Sequence, residues 1–212
     1  MGEVMFGVYY KHLQRLKNVK TIEKQLVRVE YPEKKKNITP YFVSENVPIV
    51  MASSNEYVPF LAVLLQSIID NSSDKRNYDI IIISSCIRNH NKDILQNMLG
   101  DRSNFSIRFI EAERYLTGRS FYTEMHVTTM TYLRLAMLDI LQYYDKAIYL
   151  DCDVVVNADI GELYDIDLSG HLIGAAIDTV MSGWCNMKGH QQIYYNEKVI
   201  GLKNKFEYFN AG

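Results

Sequence analysis

Four consecutive isoleucines, Ile80 to Ile83, sit at the centre of an apolar run from Tyr78 to Ser85. Side chains alternate across a strand, so a strand that is apolar at every position belongs inside a sheet covered by other layers. The rest of the chain follows the rhythm this requires. Pro48 to Ala52 reads as another buried strand, and Ser53-Ser54-Asn55-Glu56 as a turn with capping residues. Val58 to Ile69 reads as a helix, Asn89 to Leu99 as a helix ending at Gly100, and Phe105 to Ile110 as an alternating strand. Thr123 to Tyr143 reads as a long helix with Met130, Leu133, Met137, Leu138 and Leu141 as its apolar stripe. Ala147 to Leu150 and Leu172 to Ile177 complete the set of strands. Strand and helix alternating in this way predict an α/β domain with a mostly parallel sheet, whose ligands bind outside the carboxyl ends of the strands.

Residues 1 to 46 differ from the remainder. Lys and Arg recur from Lys11 to Lys36, and the expectation is an N-terminal extension: an amphipathic helix from about Tyr9 to Val29, then a solvated linker. A helix of this kind also suits contact with a membrane surface or a partner. Residues 47 to 212 form the α/β domain. The net charge of -2 argues against a nucleic-acid footprint. Three cysteines, Cys86, Cys152 and Cys185, show neither disulfide nor zinc spacing and suit a reducing, cytoplasmic setting. The chain contains no Gly-rich phosphate loop.

The chemistry concentrates at Ala147-Ile148-Tyr149-Leu150-Asp151-Cys152-Asp153. In an extended chain Asp151 and Asp153 point to the same side, and two carboxylates from one segment suit a hard divalent cation. The spacing alone is weak: with 13 Asp in the chain, roughly one Asp-x-Asp arises by chance. A second one, Asp165-Ile166-Asp167, has no strand feeding it and reads as solvated surface. A plain strand-end turn accounts for Asp151 and Asp153 equally well from the residues alone. Haloacid dehalogenase phosphotransferases also end an apolar strand in Asp-x-Asp, but they place it early in the chain, with a Thr or Gly soon after. Here Val154-Val155-Val156 follows.

Several segments together resemble the family 8 glycosyltransferases, retaining enzymes with a GT-A nucleotide-diphospho-sugar-binding fold. These are Ile49-Val50-Met51-Ala52 with Tyr57, Leu61 to Ile68, His126 through Thr131-Tyr132-Leu133-Arg134-Leu135, Ala147 to Asp153, Leu172 to Asp178, and Tyr208-Phe209-Asn210-Ala211-Gly212. The resemblance implies a hexosyltransferase that uses a UDP-sugar donor and a hydroxyl acceptor on a glycan or lipid-linked sugar. Asp151 and Asp153 then correspond to the metal pair, with Mn2+ (or Mg2+) as the ion. Tyr57 corresponds to the ring stacked on uracil, and Ala52 and Ser54 to the positions that read the nucleoside. Arg134 and His126 match the donor-pocket segment. The Cys152 backbone lies near the ribose. Asp178, Asn210 and Ala211 match positions near the donor sugar and acceptor, with Asp178, Arg134 and Asn210 the catalytic candidates.

Two departures accompany the resemblance. Ser54 stands where many members carry an acidic residue that contacts uracil; Asn55 and Glu56 are the nearest substitutes. The family's third metal ligand, a histidine from a later segment, has no match in His171 or His190. This leads to the expectation of a chain cut short at its C-terminus, and to the alternative of a non-catalytic nucleotide-sugar-binding relative. Met181 to Lys205, with Trp184, Tyr194 and Tyr195, reads as an irregular lid or acceptor wall.

Overall fold

The computed structural model describes residues 26–28, 37–122 and 129–209. The described residues divide into two compact bodies, one within 26–166 and one within 167–209.

The larger body is built on a four-stranded parallel sheet of β2 (Asn46–Ser54), β3 (Asn77–Ser85), β4 (Phe105–Glu111) and β6 (Ile148–Asp151), in the order β4-β3-β2-β6. A separate antiparallel ribbon joins β1 (Leu26–Arg28) to β5 (Ser120–Tyr122). The expected N-terminal helix therefore does not extend through Leu26–Arg28, where Leu26 pairs with Tyr122; its other residues lie outside those described. β3 is central, with all four isoleucines fully buried. Its alternation splits the core in two, which is why the run is apolar without a break. Ile80 and Ile82 join Ile49, Met51 and Ile148 against α1 (Val58–Asp70), through Leu61, Leu64, Leu65 and Ile68. Leu95 of α2 (Asn89–Asn97) closes the same layer. Ile81 and Ile83 join Val50 on the opposite face, against Tyr115 of α3 (Glu113–Leu116), Phe121, Leu133, Ala136 and Ile140.

α1 begins with Pro59 in its first turn, where a missing N–H costs nothing. It ends at Asp70, and Asn71 turns back to donate to Ser67 O at 2.9 Å and to Val156 O at 3.0 Å. Ser67 Oγ accepts from Val156 N at 3.0 Å. The last turn of α1 thus clamps the loop that follows β6.

The expected long helix is corrected. Its described part is a 3-10 run, Thr129–Ala136, followed by the short α4 (Met137–Ile140). At three residues per turn, Leu133 and Ala136 fall on one face and are buried, whereas Leu138 is 82% exposed and leaves the expected stripe. The α5 helix (Ile160–Asp165) is capped by Asp159, which accepts from Gly161 N at 2.9 Å and from the Tyr78 hydroxyl at 2.7 Å. A Cβ on Gly161 would stand 2.4 Å from Arg76 Cδ, so a larger residue there would displace the Arg76 side chain. Arg76 then reaches Asp165 through two bonds of 3.1 and 2.5 Å. Asp165 is 56% exposed at its side chain, so the surface assignment of that carboxylate holds, yet it anchors an ion pair.

At the opposite end of the sheet from the strands' carboxyl termini, the fully buried Asp79 gathers donors. It accepts from Tyr41 N (3.1 Å), Ser106 Oγ (2.9 Å), Arg108 Nε (3.1 Å) and Nη2 (2.5 Å), and the Tyr144 hydroxyl (3.0 Å). Burial raises Tyr78, Tyr144 and Tyr149 to a pKa of about 12. A raised folded-state value favours the neutral phenol, so this stabilisation is complete below the unfolded value near 10 and is lost as pH rises through about 12. In a titration followed at 295 nm, at least four of the sixteen tyrosines, these three and Tyr164, which burial also raises, are expected to ionise late, together with alkaline unfolding. A single unperturbed transition of all sixteen near pH 10 would contradict this.

In the smaller body, the expected strand Leu172–Ile177 is not formed. Only Ile177 makes an isolated antiparallel bridge, to Phe209, and Leu172 and Ile173 are exposed. The expected irregular wall is instead largely helical: α6 (Thr179–Asn186), α7 (Gln191–Tyr194) and a π-helical turn, Tyr195–Ile200. Buried Asn196 ties these together, donating to Lys205 O at 2.9 Å and to Cys185 Sγ at 3.3 Å.

Candidate active site

The chain adds β3 and then β4 on one side of β2, and later returns to place β6 on the other side. The strand order therefore reverses between β2 and β6, and the carboxyl ends of these two neighbours form the switch point outside which open parallel sheets bind ligands. Its rim is set by the register Ala52↔Asp151. β2 continues through Ser53 and Ser54, while β6 stops at Asp151.

Alternation puts Tyr149 and Asp151 on the face of the second core cluster, along with Val50 and Ala52. The Tyr149 hydroxyl donates to Asp151 Oδ1 at 3.0 Å. The Arg134 guanidinium lies over the Tyr149 ring at 5.6 Å from its centre. Sequence reasoning singled out Arg134 and Asp151 but missed Tyr149. The signal was present: two residues before Asp151 on a strand is the same side of that strand.

Asp153 departs from the extended reading. The strand ends at Asp151, and Cys152 and Asp153 form a turn, with Asp153 exposed and Cys152 half-buried. Asp151 closes the strand and Asp153 stands in the turn, so strand alternation does not relate the two carboxylates. Burial, joined by the Asp153 and Asp151 carboxylates, pushes the Cys152 thiol up. All three cysteines are free.

On the β2 side, Asn55–Tyr57 forms a 3-10 turn before α1. Asn55 is committed to structure: its Oδ1 accepts from Arg88 N at 3.1 Å and from Asn91 Nδ2 at 2.9 Å. Glu56 is exposed and accepts from the Ser54 hydroxyl at 2.9 Å. Its own backbone N–H, helped by that hydroxyl, holds its carboxyl below the usual range. The Tyr57 ring is 51% exposed and meets only Phe60, tilted at 41° with centroids 5.7 Å apart, among the described ring pairs. It is an open aromatic face at the strand-to-helix turn.

Asp178 is not a strand-end carboxylate. It caps α6, accepting from Met181 N at 2.8 Å, while its own N–H donates to Tyr208 O at 2.9 Å. It belongs to the smaller body. His126, Asn210 and Ala211 lie outside the described residues. The described residues contain no cluster of three His, Cys, Asp or Glu that could hold a metal. Two carboxylates fit a hard cation chemically, as part of a shell completed by ligand and water oxygens.

The profile of glycosyl transferase family 8 matches residues 48–212. The chain belongs to glycosyl transferase family 8. A glycosyltransferase candidate of Haemophilus influenzae is 31% identical over 169 residues, 80% of this chain and 48% of its own length. General stress protein A of Bacillus subtilis is 24% identical over 170 residues, 79% of this chain and 54% of its own. Among solved structures, the bifunctional glycosyltransferase WbbM superposes with a TM-score of 0.73 at 31% identity, covering 83% of this chain and 32% of its own. The galactosyltransferase LgtC, solved with donor and acceptor sugar analogues, gives 0.60 at 27% identity, covering 78% of this chain and 56% of its own. This family 8 chain therefore has the GT-A-like fold expected from its sequence, and it spans about half the length of the curated relatives it matches. No helix among the described residues is long and apolar enough to cross a membrane.

Proposed function

We propose that this chain carries the donor site of a metal-dependent, retaining glycosyltransferase that moves a hexose from a UDP-sugar to a hydroxyl of a glycan or lipid-linked acceptor. The observation that carries the reading is the pairing of Ala52 with Asp151 at the switch point of a family 8 chain, with Asp153 in the next turn. In this reading Asp151 and Asp153 hold Mn2+ or Mg2+, whose charge offsets that of the departing diphosphate. The Arg134 fork meets a phosphate or sugar hydroxyl, and its rigid donors suit either. The bond from the anomeric carbon to the UDP oxygen breaks, and the acceptor oxygen bonds to that carbon from the same face. The acceptor proton passes to the leaving phosphate oxygen. Asp178 and Asn210 remain candidates for orienting sugar and acceptor. The free cysteines agree with a reducing, cytoplasmic location.

The test is donor turnover and UDP binding, with Mn2+ and UDP-glucose or UDP-galactose, in a version of the protein as long as its relatives. Release of UDP that stops in EDTA supports the reading. UDP binding without turnover would instead make this a nucleotide-sugar-binding relative, and absence of both would remove the reading.

Tyr57 offers a separate measurement. Its exposed ring adds little to the core, while stacking on a base contributes about 1–3 kcal/mol. Tyr57→Ala is expected to weaken UDP about 10- to 100-fold with an unchanged melting temperature, by calorimetry. Equal UDP affinity would remove Tyr57 from the donor site.

A further inference from the structure

We propose that Tyr149 is a positioning residue whose hydroxyl fixes the Asp151 carboxylate in the orientation that binds a divalent cation. The inference rests on the donor-site reading above and assigns a role to a residue outside it. Three observations meet at Tyr149. First, it shares a strand face with Asp151, and its hydroxyl donates to Oδ1 at 3.0 Å. That bond occupies one carboxylate oxygen and leaves Oδ2 for a ligand. Second, the ring cannot swing freely, because it lies against the second core cluster on one side and under Arg134, at 5.6 Å, on the other. Third, Arg134 is the cation expected to meet the donor phosphate. Tyr149 thus stands between the two charged groups that a nucleotide diphosphate would engage.

The physical need is clear from the turn at Cys152–Asp153. A carboxylate at the last position of a strand keeps rotamer freedom unless something restrains it, and freezing it on binding costs affinity. A neighbouring donor that restrains a metal ligand removes this cost, and loss of such a partner typically weakens metal binding 10- to 100-fold. The Asp153 carboxylate is exposed, so pre-organisation of the pair depends on Asp151.

Tyr149→Phe keeps the ring under Arg134 and deletes the hydroxyl, with its contacts to Asp151 and to the Arg134 guanidinium. Three quantities are measured on wild type and variant: Mn2+ affinity with saturating UDP, by electron paramagnetic resonance; UDP affinity in EDTA, by calorimetry; and melting temperature. The expected result is a loss of about 10- to 100-fold in Mn2+ affinity, with metal-free UDP affinity and melting temperature unchanged. Equal Mn2+ affinity in both proteins overturns the proposal while leaving the donor site intact. A fall in Mn2+ affinity no larger than the fall in metal-free UDP affinity also overturns it, since release of Arg134 or loss of packing would produce that. If wild type itself takes up no Mn2+ with UDP, the metal reading fails and Tyr149 falls with it.

Discussion

Asp151→Asn is expected to lower Mn2+-dependent UDP release by about 10³-fold, the order lost when a group that stabilises charge in the transition state is removed. The substitution is nearly isosteric. The Tyr149 hydroxyl can still donate to the new amide oxygen, so its 3.0 Å contact survives and the strand end keeps its shape. The negative charge that attracts the cation is lost. Activity measured across a Mn2+ titration, beside a thermal melt, separates chemistry from folding. An unchanged rate would show that the strand-end carboxylate takes no part in the reaction. A rate loss matched by a large drop in melting temperature would show that it serves the fold instead.

The largest stability effect is expected at the other end of the sheet. Asp79 is fully buried and accepts five hydrogen bonds, two of them from the Arg108 guanidinium. Asp79→Ala leaves a half-buried cation without its counter-charge and orphans the Ser106 hydroxyl. Breaking a buried pair in this way costs about 3–5 kcal/mol, which corresponds to a drop of roughly 10 °C in melting temperature for a chain of this size. The effect reaches the segment before β2, because Arg108 also donates to Thr39 O at 2.8 Å and the Tyr144 hydroxyl shares its one proton between Asp79 and Thr39 O, the latter at 2.9 Å. Urea unfolding gives the value directly. A shift within the range of ordinary surface substitutions would show that Arg108 finds another partner. Exposed Asp165, although bonded to Arg76, should tolerate the same change far better, since water solvates both charges.

The central strands and their flanking helices could be read from sequence because their side chains report one repeating environment. β2, β3 and the helix between them have unbroken apolar patterns, and each was placed to within two residues at either end. The run around Arg134 was read as α-helix because apolar residues three apart suit a 3-10 turn as well as an α-helix; Leu138, in the short helix that follows, is exposed where a stripe was expected. Leu172 to Ile177 has the composition of a buried strand, but composition cannot supply a neighbour, and among the described residues its ladder amounts to the single bridge at Ile177. The site divides in the same way. Asp151, Asp153, Tyr57 and Arg134 carry chemistry in their residue types, and the structure brings Asp151 together with Arg134 through a tyrosine that looked like filling. The Asp79 network escaped notice because its members come from separate strands and loops, and nothing local in the sequence links Arg108 to Thr39 or Tyr41.

The order of strands has a bearing on biosynthesis. β2, β3 and β4 can assemble as they are made, whereas the far flank of β2 stays bare until Ile148–Asp151 has been translated. During that interval Ile49, Val50 and Met51 present an apolar edge with unsatisfied backbone groups, which is a template for pairing with another nascent copy. The strand order that places the switch point between β2 and β6 thus gives the half-made protein an aggregation-prone moment, and chaperone demand should peak just before β6 emerges.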